Sequence, residues 1–192
     1  GKRNNGHTWT SVYIDFGTRQ LVATRARQVH TASGSFDGVV ATDVSLKALN
    51  DFVGRLKVSP NGVAFIIEPD GNLIASSASR NVVTLPDGSS GRLNAGRSDH
   101  GLLKAAYDTV QGRIAARDDK DLPRVFDFHT ADGSLVHAAF DRIRDDAGLD
   151  WVMIVAMPAS DFLGGVRENV SRTIILATLA VLFAIFIGLS IL

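Results

Sequence analysis

The sequence predicts an α+β chain: an antiparallel five-stranded sheet with flanking helices, followed by a single membrane-spanning helix. Three observations carry this reading. Apolar runs flank Pro69-Asp70-Gly71 and Ala131-Asp132-Gly133. An Asp-Gly between apolar runs is turn chemistry, because Gly accepts positive φ, and Pro69 adds a preset φ to the first turn. Between these hairpins, Leu102, Leu103, Ala106, Val110 and Ile114 recur at helical spacing and make one apolar face. Last, residues 173–192 (TIILATLAVLFAIFIGLSIL) hold no charge and no proline. At about 1.5 Å per residue, a helix of that length matches the roughly 30 Å hydrocarbon layer of a bilayer. A buried core helix is the competing reading, but such helices are shorter and less uniformly apolar.

In chain order, residues 1–6 are polar. Two strands are expected at Thr8–Asp15 and Arg19–Val29, rich in β-branched and aromatic residues and joined by Phe16-Gly17-Thr18. The Gly-rich loop Thr31–Gly38 leads to a third strand, Val39–Val44. Ser45 then caps a helix to about Lys57 whose inward face is Leu46, Leu49, Phe52, Val53 and Leu56. Pro60-Asn61-Gly62 marks a domain boundary. Beyond it come the hairpin Val63–Glu68/Asn72–Ser77, an irregular Ser/Gly/Asn-rich stretch 78–97 with one extended piece at Val82–Leu85, and a helix from Ser98-Asp99 to Ala116. A charged loop Asp118–Asp121, the hairpin Arg124–His129/Leu135–Arg142 and a last strand Trp151–Ala156 follow. Pro158 ends that strand and Ser160 caps the helix that runs into the span.

The two halves echo one another. Each ends in a hairpin, an acidic and Gly-containing loop, an apolar strand and a Ser-capped helix, and Ser45 and Ser160 stand 115 residues apart. Residues 60–158 thus make one complete module, and 1–59 the last strands and exit helix of an earlier one. The chain reads as a piece of a longer protein.

Composition narrows the function. The 20 basic and 20 acidic residues balance, which leaves no electrostatic footprint for nucleic acid. With no cysteine there is no disulfide, thiolate metal site or thiol nucleophile. No nucleophile elbow, phosphate loop or zinc-protease motif occurs, so no enzyme is expected in these residues. No cofactor is expected. His129 and His137 face each other across a turn but lack a third metal ligand, so no metal site is expected either. Phe65, Tyr107 and Phe126 read as core.

Val39–Leu49 (VVATDVSLKAL), Gly62–Ser77 (GVAFIIEPDGNLIASS) and Asp150–Phe162 (DWVMIVAMPASDF), followed by the uncharged run, resemble the double Cache sensor domains of bacterial receptors. The resemblance covers nearly the whole chain. It implies a PAS-like sheet in each module and an extracytoplasmic ligand sensor in the inner membrane, with residues 1–172 outside. A cytoplasmic output of cyclase, histidine kinase or chemoreceptor type is implied beyond the span. In the amino-acid-binding branch, an aromatic and two acidic residues on the last strands of the distal module line the pocket. Tyr13 and Asp15 match the Tyr-x-Asp of that pattern, and Asp43 the later acid. The implied ligand is a small amino acid, amine or organic acid. Acidic groups beside an aromatic suit an ammonium by charge-assisted and cation–π contact. The competing reading makes Asp15 a turn residue and Asp43 a helix cap. Trp9 reads as a packing residue.

Ala180, Ala184 and Gly188 form a small-residue face on the span, expected to pair two copies as a homodimer. An alternative function is a membrane-tethered adhesion, scaffold or regulatory module with no small-molecule ligand.

Overall fold

The structure, a computed structural model, describes residues 6–115 and 124–162. Strands β5 (Val63–Ile67), β6 (Leu73–Ser76), β9 (Val125–His129), β10 (Leu135–Arg144) and β11 (Asp150–Pro158) form a five-stranded antiparallel sheet in the order β6-β5-β11-β10-β9. The last strand is the central one. β11 pairs with β10 on one side and with β5 on the other, Ile154 lying opposite both Phe140 and Phe65. The strand that leads out of the module is therefore held from both edges.

This sheet is apolar on both faces. Side chains alternate across a strand, so in β5 Val63, Phe65 and Ile67 point one way and Ala64 and Ile66 the other, and all five are buried. The first face packs on α2 (Gly101–Ala115) through Leu103, Ala106, Val110 and Ile114, with Phe126, Val136, Phe140, Val152 and Ile154 beneath. Arg142 of β10 donates to the carbonyl of Ile114 at 2.8 Å, satisfying an acceptor in the last turn of α2.

The second face packs on residues before Pro60. Ala64, Ile66, Ile74 and Ala75 meet Val12, Leu21, Ala23, Leu46 and Val53 in a second core. The helix here is α1 (Lys47–Gly54). The sheet therefore carries one helix on each face. Each Leu, Ile or Phe side chain fully buried here contributes roughly 1.5–3 kcal/mol.

A second, smaller sheet is built on β3 (Leu21–His30). β4 (Phe36–Ser45) pairs along one edge of β3, and β1 (His7–Trp9) and β2 (Tyr13–Ile14) share the other. The expected single strand Thr8–Asp15 is broken. Trp9 lies opposite Arg25 and Tyr13 opposite Val22, so Thr10, Ser11 and Val12 span what Ala23 and Thr24 span on β3. One residue is in excess, which makes a bulge.

Other expectations need correction. Ser45 closes β4 and Leu46 is the N-cap of α1; Ser45 Oγ still accepts from Lys47 N at 3.3 Å. Helix α1 ends at Gly54, and Phe52, expected inward, is 55% exposed. The stretch 78–97 holds a full hairpin, β7 (Val82–Thr84) with β8 (Ser90–Arg92), because Pro86-Asp87-Gly88 turns it just as Pro69-Asp70-Gly71 turns the first. Pro158 still pairs with Val136, and Ser160 lies inside a helical turn that begins at Ala159. The expected span 173–192, its face Ala180, Ala184 and Gly188, and the loop Asp118–Asp121 lie outside the described residues. Among the described residues no helix is long and apolar enough to cross a membrane.

That final turn is tied to the linker between the two halves. Asp161 accepts from Ser59 Oγ (2.5 Å), Asn61 N (2.7 Å) and Asn61 Nδ2 (2.7 Å). Desolvation alone would raise its pKa; the bonds from Ser59 and Asn61 outweigh it and hold Asp161 below the ordinary carboxylate value. A depressed folded-state pKa contributes stability above the unfolded value that is lost as pH falls through the folded one. The excess stability of the wild type over Asp161→Asn is therefore expected to be full at about pH 6 and to vanish towards about pH 2. Urea denaturation of both proteins across that range measures it.

Gly71 ends the β5–β6 turn with φ +85°, and a Cβ there would run into the Tyr107 phenol. Gly71→Ala thus meets both an unfavourable φ and a collision. It should cost about 1–3 kcal/mol in denaturant unfolding, whereas Gly133→Ala, with a similar φ of +84° but open space around it, should cost less.

Candidate functional site

The sequence-predicted residues lie on the smaller sheet. Thr24 of β3 stands directly opposite Asp43 of β4, and Tyr13 of β2 opposite Val22. Residues two apart on a strand share a face, so Tyr13, Thr24 and Asp43 project together. Their polar atoms meet. Thr24 Oγ1 donates to Asp43 Oδ1 at 2.6 Å, Tyr13 Oη reaches the same oxygen at 3.4 Å, and the two hydroxyls lie 2.9 Å apart. Both hydroxyls engage Oδ1 and neither engages Oδ2. The next row on this face is Ala26 opposite Ala41, which offers only methyl groups beside the carboxylate.

Local sequence explains this placement. The loop Thr31–Ser35 closes with Thr31 N donating to Ser35 O at 2.8 Å and Gly34 at φ +83°, His30 pairs with Phe36, and an irregularity between Val29 and His30 then shifts the β3–β4 register so that Val29 lies opposite Gly38. That register brings Thr24 opposite Asp43. Tyr13 is 37% exposed, so its ring edge is open to solvent while its hydroxyl is engaged.

Asp15 is placed differently. Its carboxylate accepts from Thr18 N and Thr18 Oγ1, both at 2.7 Å, across the turn that joins β2 to β3. Those bonds, the backbone one foremost, hold its pKa below the ordinary value. The structure brings Tyr13 and Asp43 together, and it places the Asp15 carboxylate on its own turn. Thr24, which the sequence reading did not single out, completes the cluster. Its only signal was the pairing register, which no short motif displays.

Trp9 is half-buried in the second core. Its indole N–H donates to Asp145 Oδ2 at 2.7 Å, and the Arg25 guanidinium lies 5.7 Å from its ring centre. His137 pairs with Asp127 at 2.7 Å and lies opposite it in the hairpin, while His129 lies opposite Leu135. Among the described residues no three metal-ligating side chains come together. Phe65 and Phe126 are buried in the core of the larger sheet, with Tyr107 packed against it.

Two open clefts lie away from the cluster. One, of about 960 Å³, runs beside the first turns of α2 against the 130–134 turn and Ser160. The other, of about 850 Å³, lies along the opposite face of β3, where Trp9, Arg25, Val40 and Val44 line it.

No family model matches the chain. Among solved structures, the ligand-binding domain of the amino acid chemoreceptor PctC of Pseudomonas aeruginosa PAO1, in complex with GABA, aligns over 80% of this chain and 56% of its own length, with 19% identity and a TM-score of 0.51. The ligand-binding domain of Mlp24 with asparagine aligns over 83% of this chain and 53% of its own, with 18% identity and a TM-score of 0.50. The chain thus spans about half the length of the structures it matches. Both are ligand-binding domains. The antiparallel α+β architecture of this chain is the fold of a Cache-type chemoreceptor ligand-binding domain.

Proposed function

We propose that this chain belongs to the extracytoplasmic ligand-sensing region of a membrane-bound receptor and binds a small ammonium-bearing ligand, an amino acid or amine, at Tyr13, Thr24 and Asp43. The observation that carries the reading is the convergence of the Tyr13 and Thr24 hydroxyls on one oxygen of Asp43. The carboxylate is thereby oriented, and its other oxygen is left for a donor. An ammonium bonded there gains a charge-assisted hydrogen bond and lies beside the exposed Tyr13 ring. Asp15 holds the turn that carries Tyr13. The two similar structures were solved with GABA and asparagine, both of which carry an ammonium group.

In this reading residues 60–158 are the membrane-proximal module, and 1–59 complete a distal one. Residues 173–192 form the transmembrane helix, which pairs with a second copy through Ala180, Ala184 and Gly188. Ligand binding biases one of two arrangements, and the bias passes through the shared second core to β11 and the turn at Ala159. Only a difference in affinity for the two arrangements drives such a shift. The output on the far side is a cyclase, kinase or chemoreceptor signalling domain.

A thermal-shift screen of the intact receptor in detergent against amino acids, GABA, other amines and organic acids tests the reading. A binder at about 100 times its dissociation constant should add about 2.7 kcal/mol of stability. Asp43→Ala should abolish that gain with the fold intact, and Thr24→Val should weaken binding by roughly tenfold. Gains that survive Asp43→Ala would place the ligand elsewhere. Silence across the panel would favour a tethered module without a small-molecule ligand.

A further inference from the structure

Val12 is the residue in which the bulge leaves the sheet. It is 4% exposed, so its backbone groups have little access to water. An unmatched backbone group in such a place is costly. Neither group bonds to β3. Val12 N donates to Glu68 Oε1 at 2.9 Å, and Val12 O accepts from Arg92 Nη1 at 2.9 Å. The same Nη1 is ion-paired with Glu68 Oε2, and both side chains are nearly buried. Arg92 Nη2 also donates to the carbonyls of Asn72 and Leu73, each at 3.3 Å. Glu68 follows β5 and Arg92 ends β8, so a charge pair from beyond Pro60 holds both backbone groups of one residue between β1 and β2 of the smaller sheet.

The consequence falls on the next residue. With the extra residue looped out at Val12, Tyr13 lies on the face that carries Thr24 and Asp43. If the bulge were lost and the strand slipped by one position, side-chain alternation would send Tyr13 to the opposite face. A buried ion pair has its best-attested use in fixing register of this kind.

We infer that Glu68 and Arg92 are positioning residues of the Tyr13–Asp43 site, holding the Val12 bulge so that Tyr13 faces Asp43; the binding role of that site rests on the function proposed above. Coupling of this sort is reciprocal, so a ligand that needs Tyr13 on that face strengthens the grip on Val12.

The chain has two tyrosines, Tyr13 and Tyr107, which makes a direct test practical. The full chain is labelled with 3-fluorotyrosine in detergent, and the two fluorine signals are assigned with Tyr13→Phe. Asp43→Asn should shift the Tyr13 signal alone. In Glu68→Gln, the Tyr13 signal should move towards that of a free phenol and lose its response to Asp43→Asn. Tyr107, packed on the larger core, should keep its signal and so report an intact fold. Arg92→Lys, which keeps the charge but not the forked contacts, should do the same in part. It decides the matter should Glu68→Gln unfold the chain. A Tyr13 signal that keeps its position and its Asp43 response in both variants would overturn the inference.

Calorimetric titration of the intact receptor with GABA and asparagine supplies the second arm. Glu68→Gln should weaken binding by about tenfold. Unchanged affinity would overturn the positioning role. If neither probe binds the unsubstituted receptor, the ligand reading fails for those probes, while the fluorine signals still decide whether the pair sets Tyr13.

Discussion

A sheet that is apolar on both faces must be covered on both. In this chain that requirement organises everything else. β5 is buried through its whole length, and the alternating residues of β11 feed two separate cores. Helix α2 covers one face. The other is covered by α1 and the smaller sheet, so the residues before Pro60 are not an independent appendage but the second wall of the larger sheet. The proposed sensing elements and the strand that leads out of the module thereby share a core. A displacement of one cannot leave the packing of the other untouched, because close-packed interiors transmit strain.

The smaller sheet shows how regular pairing yields to the demands of a site. β3 could carry an uninterrupted neighbour along its outer edge, and the sequence Thr8–Asp15 looks like one. Instead the neighbour breaks at Val12, and the lost ladder bonds are replaced by Glu68 and Arg92. A hydrophobic pair would fill that space at less cost in desolvation. What a charged pair adds is an acceptor for the N–H and a donor for the carbonyl of one residue, which apolar side chains cannot supply.

The exit of the chain is tethered in a similar manner. Asp161 takes three hydrogen bonds from Ser59 and Asn61, so the turn after β11 is bound to the linker that follows α1. In the proposed receptor, the helix entering the membrane would then sense both modules: one through β11 itself, the other through the linker.

By itself the sequence determined the elements whose signals are local. The Pro-Asp-Gly and Ala-Asp-Gly hairpins, the amphipathic helix around Val110 and the apolar final strand all read directly from spacing and turn chemistry, and they suffice for a five-stranded antiparallel sheet. The family resemblance marked Tyr13, Asp15 and Asp43 but grouped Tyr13 with Asp15, whose carboxylate bonds Thr18 on its own turn instead. The tertiary structure alone decided what depends on distant partners. Thr24 joins the site only through the β3–β4 register, and Phe52 turns outward although its spacing points in. β8 is a strand because β7 lies beside it. The excess residue at Val12 is invisible until a Glu and an Arg from beyond the linker are seen to hold it. Periodicity reports which side of an element is apolar. Register, bulges and ion pairs between segments are set by what that side meets.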